Sequence, residues 1–348
     1  MVRVRASLSQ LPAYVPGRKL PGAIVLASNE SPYGLLPGVA ATLTETAVGV
    51  SRYPDLHAAS LVEALAEHHG VEPDWIAVGA GSSEVCGQLL HTVVGPGDEV
   101  VFGWRSFEAY PILTAVAGGT AVKVPLRDHT LDLDAMAAAI TSRTRLVFVC
   151  NPNNPTSTAV GARALTDFAD RVPPDVLIVV DEAYREYADP ARVPDGLALL
   201  GDRPNVAVLR TFSKAYGLAG LRVGYCVAQP AIAAHVRRTQ VPFSVSALAQ
   251  RAAVVALGEE AEVARRAALT VAERDRVTAA LRALGHDVPD SHANFLWLPL
   301  GQDSGDFALH CASGKVMVRP FLGEGVRVTI GLPEENDTLL ALAASWRG

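Results

Sequence analysis

Lysine is scarce in this chain: four residues against twenty-six arginines in a total of 348. Cysteine is scarce too, and Cys86, Cys150, Cys226 and Cys311 lack the CxxC spacing that would suggest a zinc site or a redox pair. The nine histidines contain no HExxH pattern, and the adjacent His68 and His69 would point to different parts of a helix surface, so no metal is expected. A formal net charge of −6 gives no basic stripe of the kind that tracks a phosphate backbone, which argues against nucleic acid as a partner. No apolar run approaches the ~20 residues that a membrane span needs. The first twenty residues carry Arg3 and Arg5 but lack the apolar stretch and small-residue cleavage site of a secretory signal, so a cytoplasmic location is expected. There is no GK[ST], which excludes a P-loop, and no GxGxxG after the first strand, which disfavours a dinucleotide site.

What is present is a regular alternation. Short β-branched runs fall at IAV (76–78), EVVF (99–102), AVKV (121–124), RLVFV (145–149), VLIVV (176–180), VAVL (206–209) and VGYCVA (223–228), with helical patterns such as SEVCGQLLHTV and ARALTDFADRV between most of them. This predicts an α/β fold with a mainly parallel seven-stranded sheet flanked by helices. After residue 230 the texture changes to an arginine- and alanine-rich helical region over 245–284, then ANFLWLPL, KVMVRP and GVRVTIG, read as strands of a smaller α+β domain. The expected division is 1–44 for an N-terminal arm and part of the small domain, 45–240 for the large domain, and 241–348 for the small C-terminal domain.

In parallel sheets, catalytic groups gather at the carboxyl ends of strands, so the residues after each run matter. One of the rare lysines, Lys214, follows VAVL in RTFSK, with Gly217, Gly220 and Gly224 close behind. A lysine at a sheet mouth can be desolvated and become a nucleophile or Schiff-base former, although a lysine on a surface turn would look the same. Asp181 ends an entirely apolar strand, where a carboxylate requires a cation, either an arginine or a ligand nitrogen. Metal sites and helix caps share that DE pattern. Asn154 in NPNNPT offers an amide donor or simply builds a turn. Tyr184 lies three residues past Asp181. GAGSSE opens a helix after a strand, so the amides near Ser82 and Ser83 can cradle an anion, with Thr211, Ser213 and Arg222 available beside them. Phe107 could stack on a planar ring.

NPNNPT, DEAY and TFSKAYGLAGLRVGY, in this order and spacing, resemble the signature of fold-type I aminotransferases dependent on pyridoxal 5′-phosphate (PLP), in the branch that contains histidinol-phosphate aminotransferases. The resemblance runs from YVPGR to VRVTIG. It implies that Lys214 bonds the cofactor aldehyde and later carries the substrate proton, that Asp181 holds the pyridinium, and that Asn154 and Tyr184 bind the phenolic oxygen. Ser82, Ser83, Thr211, Ser213 and Arg222 would bind the phosphate, and Phe107 would cover the ring. Tyr53, in SRYPD, would reach the cofactor phosphate of a neighbouring subunit in a homodimer. Two positions depart from the pattern: Ser157 stands where glycine usually follows NPT, and Phe107 where tyrosine is frequent.

For the substrate, the resemblance implies that Arg327 in GVRVTIG binds a carboxylate or phosphate, that Arg319 in VMVRP is a second anion-binding arginine or a surface residue, and that Tyr14 and Asn29 belong to an arm closing over the site. WRSFEAYP and RPFLGEGVRVTIG look most like the sub-branch of aromatic amino acid aminotransferases. An aromatic amino acid with a 2-oxo acid acceptor such as 2-oxoglutarate is therefore expected, with histidinol phosphate as the alternative. PLP racemases, decarboxylases and lyases share the fold and lysine, and a nucleotide-binding protein is the different-class alternative.

Overall fold

The computed structural model describes Val2, Leu11 and residues 20–347. Among these residues the strands are β1 Ile24–Val25, β2 Ile76–Gly79, β3 Glu99–Trp104, β4 Thr120–Pro125, β5 Thr144–Cys150, β6 Leu177–Asp181, β7 Val206–Thr211, β8 Gly224–Ala228, β9 Phe295–Leu298, β10 Val316–Met317, β11 Arg319–Phe321 and β12 Gly325–Thr329. The seven β-branched runs become the seven strands of one sheet, in the order β2-β8-β7-β6-β5-β3-β4. β4, β3, β5, β6 and β7 run parallel, while β8 is antiparallel to both of its neighbours.

The pleat sends alternate side chains to opposite faces, and both faces are covered. On one face Val147, Val149, Ile178, Val180, Val206 and Val208 meet Leu165 and Phe168 of the helix Ala162–Arg171. On the other, Leu146, Phe148, Leu177, Val179, Ala207 and Leu209 meet Val85, Cys86, Leu89 and Leu90 of the helix Ser82–Val93. A fully buried side chain such as Phe168 contributes about 1.5–3 kcal/mol through the apolar surface it removes from water.

A second core lies around the antiparallel sheet β11-β12-β9 and the parallel pair β1-β10. Leu296, Leu298, Val326 and Val328 pack there on Phe307 and Leu339 from the helices Ser304–Ser313 and Pro333–Ser345. Leu26, just past β1, joins them, so the start and end of the chain build the same unit. The helix Ala247–Leu257, by contrast, places Ala249, Ala252, Ala253 and Ala256 in the large-sheet core beside Leu36 and Val39. Val263 and Ala267 of the long helix Glu260–Ala283 lie in that first core, whereas Val277 and Leu281 lie in the second. Apolar packing thus changes along this helix and not at residue 241. Composition shows where a helix forms, but the neighbours that cover its apolar stripe decide which core it joins.

Candidate active site

Parallel pairing aligns the carboxyl ends of β5, β6 and β7, and one pocket opens there. Asn154, Asp181, Tyr184, Thr211, Ser213, Lys214 and Arg222 all line it, as do Ser82, Ser83 and Phe107 from the β2 and β3 ends and Asn29, Arg319 and Arg327 from the second unit.

Asp181 is 4% exposed. Its Oδ2 accepts a hydrogen bond from the hydroxyl of Tyr110 at 2.6 Å, whereas Oδ1 has no partner among the described residues. Burial lifts its pKa from 3.8 to about 6, against the opposing pull of the Tyr110 hydroxyl and the Ala183 amide. Tyr110 is itself fixed by stacking on Phe148, with centroids 4.2 Å apart. A buried acceptor without a donor is costly unless a ligand supplies one.

Lys214 follows β7 by three residues. Its Nζ donates to the Ser28 carbonyl at 3.1 Å and lies 6.0 Å from the centre of the Tyr184 ring. Burial first, and then the Arg327 and Arg222 guanidiniums, lower its pKa to about 7 against the pull of Glu30. A substantial neutral fraction at neutral pH makes this amine a nucleophile and a proton carrier, neither of which an arginine provides.

At the other end of the pocket the helix Ser82–Val93 starts on Gly81, whose φ of 83° lies in the left-handed region and which has no side chain to cap the first amides. A Cβ on Gly81 would collide with the Arg222 guanidinium, and a Cβ on Gly224 with the Ser82 amide. Both glycines therefore keep a backbone cradle open. The Arg222 guanidinium lies across it, donating to Ser213 Oγ at 3.3 Å and to the Ala80 and Ala219 carbonyls. Thr211 Oγ1 donates to Ser213 Oγ at 3.0 Å. Free helix amides, hydroxyls and a guanidinium around one concavity make an anion site.

On the third side, β11 and β12 set Arg319 directly opposite Arg327. Arg327 is buried and donates to Asn154 Oδ1 and to the Ala27 carbonyl, each at 2.6 Å. Arg319 donates to Glu108 Oε2 at 3.0 Å. Asn29, at a φ of 53°, donates from Nδ2 to the Tyr184 hydroxyl at 3.0 Å and is tied to Thr329 and Asn294. Burial raises the Tyr184 pKa. Phe107 is half-buried and meets Tyr110 edge-on at 5.4 Å.

Two candidates lie apart. Tyr53 is 82% exposed, outside the pocket, and stacks on Phe243 at 4.7 Å. Tyr14 lies outside the described residues. Sequence reasoning did not single out Tyr110, the partner of Asp181, or Glu108, the partner of Arg319. Both belong to the quoted turn WRSFEAYP, whose position after β3 was the available signal.

A nucleophilic amine, a buried carboxylate short of a donor and an anion cradle in one pocket define a site for a ligand with an electrophilic carbon, a basic nitrogen and an anionic group. The model of the aminotransferase class I and II family matches residues 21–342, and the chain belongs to that PLP-dependent family. It is 55% identical over 347 residues to the aromatic amino acid aminotransferase of Thermobifida fusca, covering 99% of this chain and 97% of the relative. An aromatic amino acid aminotransferase of Mycolicibacterium paratuberculosis is 54% identical over 346 residues, with 99% and 98% covered. Among solved structures, the histidinol-phosphate aminotransferase of Sinorhizobium meliloti in complex with PLP superposes with a TM-score of 0.90 at 30% identity, covering 99% of this chain and 97% of that one. PLP fits the residues present: the unpartnered oxygen of Asp181 and the open cradle at Gly81 and Gly224 suit its nitrogen and its phosphate.

Proposed function

We propose that this protein moves the amino group of an aromatic amino acid, such as phenylalanine, tyrosine or tryptophan, to a 2-oxo acid such as 2-oxoglutarate, in two half-reactions. The observation that supports amine chemistry is the meeting of Lys214 and Asp181 in one pocket, with their pKa values drawn toward each other, to about 7 and about 6. The aromatic substrate is supported by relatives of that name at 52–55% identity over nearly the whole chain.

When bound, PLP supplies the electron sink for the electron pair left when the substrate Cα loses its proton. Lys214 would hold the cofactor through its amine and, once the substrate amine has displaced it, would be free to carry the Cα proton, a task suited to a group that titrates near neutrality. Asp181, through its open oxygen, would accept a hydrogen bond from the ring nitrogen and keep that nitrogen protonated. Tyr110 orients this carboxylate. Asn154 and Tyr184 would bind the phenolic oxygen, and Phe107 would cover the ring. Ser82, Ser83, Thr211, Ser213 and Arg222 would hold the phosphate, while Arg327 would pair with the substrate carboxylate. Asn29 positions Tyr184.

A homodimer is part of this reading. Tyr53 is exposed and does not line its own pocket, and on the family resemblance we assign it to the cofactor phosphate of a second copy. Among the described residues no helix is long and apolar enough to cross a membrane, in keeping with a cytoplasmic enzyme.

The test is kcat/KM for phenylalanine, tyrosine and histidinol phosphate on PLP-loaded protein, each with 2-oxoglutarate. Preference for the aromatic amino acids is expected. A preference for histidinol phosphate would replace this reading with the alternative.

A further inference from the structure

We propose that Glu108 is a specificity-determining residue: it occupies Arg319, so the pocket refuses substrates whose side chain carries a doubly charged anion. This rests on the aromatic reading above and explains it at one contact. Arg319 and Arg327 stand opposite each other on neighbouring antiparallel strands, so both guanidiniums reach the same pocket. Two such arginines alone would suit a substrate with a doubly charged group opposite its carboxylate. Glu108 offsets one of them, so a phosphate dianion meets about twice the repulsion that a singly charged distal carboxylate, as in 2-oxoglutarate, would meet. Its carboxylate accepts from Arg319 at 3.0 Å, with the two side chains only 30% and 14% exposed, where salt screens a pair incompletely.

A phosphate aimed at Arg319 would have to displace Glu108 or sit beside it, and like charges in a part-buried site repel strongly. A neutral ring meets no such barrier: Phe107 precedes Glu108 on the pocket wall, and Arg319 lies over the Phe321 ring at 5.7 Å. The segment that carries Glu108 is also anchored on both sides. On one side of it Arg105 pairs with Glu324 and lies 4.4 Å from the Trp104 ring centre and 5.5 Å from that of Phe321; Ser106 donates to Asn153 at 2.7 Å. On the other side the helix Ala109–Ala117 begins.

The experiment compares wild type, Glu108→Gln and the double variant Glu108→Gln with Arg319→Gln, all loaded with PLP and all using 2-oxoglutarate. The readout is the ratio of kcat/KM for histidinol phosphate to that for phenylalanine, a quantity that a general loss of packing does not raise. Glu108→Gln should raise the ratio roughly tenfold or more, with the gain shrinking as salt is added, and the Arg319 change should erase it. A ratio that stays within about twofold of wild type, or a gain that survives loss of Arg319, overturns the proposal. If Glu108→Gln does not fold or load PLP, Glu108→Ser is judged by the same ratio. Wild type that already prefers histidinol phosphate would refute the aromatic reading itself, whereas an aromatic preference that Glu108→Gln leaves untouched refutes this inference alone.

Discussion

Asp181 and Glu182 are adjacent buried carboxylates, 4% and 2% exposed, that the fold treats in opposite ways. The pleat at the end of β6 turns Glu182 to the face of Val180, where Arg210 donates to it at 2.7 and 3.0 Å and the Gly196 amide at 2.6 Å. Asp195 also accepts from Arg210 at 2.6 Å, and burial, which would lower the Arg210 pKa, is outweighed by these two carboxylates, which raise it. Asp181 turns to the face of Tyr110 and keeps one oxygen without a donor among the described residues. The protein completes the first set of charges from its own residues and leaves the second for a ligand to complete. This difference, more than burial or charge alone, separates a structural ion pair from a binding site.

Mutations on the two sides of the strand should therefore diverge. Lys214→Ala, on the open side, should lower kcat by about a thousandfold or more while PLP still binds noncovalently, because no other described residue lining the pocket offers a titrating amine. Steady-state transamination near the wild-type rate would remove Lys214 from its assigned role. On the closed side, Arg210→Met strands Glu182 without its cation and should destabilise the fold by about 3–5 kcal/mol, read as a urea midpoint shift. An unshifted midpoint would mean that the pair is not a structural one.

Asp181→Asn should do the reverse in PLP-free protein. The folded-state pKa of Asp181 is raised, so the folded chain keeps its proton where the unfolded chain has released it, and stability falls as pH rises from 3.8 to about 6. Relief of that penalty by asparagine should stabilise PLP-free protein on the order of 3 kcal/mol above pH 6, fade through this window and vanish below it. With PLP the sign should invert, since the ring nitrogen loses its counter-charge. Equal effects with and without PLP would end the contrast with Glu182. The smallest effect concerns Ser157, which sits at a φ of 63° with its Oγ buried and without a partner among the described residues. Ser157→Gly removes that strain and should stabilise the protein by about 1 kcal/mol or less, within reach of calorimetry.

Much of the site was legible in the amino-acid sequence alone. Lys214, Asp181 and Asn154 each follow a β-branched run, and parallel strands must bring such ends together. The serines at a glycine-led helix start were legible for the same reason. Arg319 and Arg327 are different: eight residues apart, they meet only because β11 and β12 pair with Arg319 opposite Arg327. The partners of Asp181 and Arg319, Tyr110 and Glu108, come from the segment after β3, 71 and 211 residues away in the chain. No local periodicity encodes such a pairing.

By itself the sequence determined the alternation of strands and helices, the parallel sheet this requires, and the chemistry placed at the strand ends, because these follow from local periodicity and from the residue after each run. The tertiary structure decided which carboxylate is paired and which is left open, which core each helix joins, and which arginine carries a counter-charge. Those outcomes depend on distances between residues far apart in the chain, and burial magnifies each of them by stripping away the water that would otherwise make a lone charge tolerable.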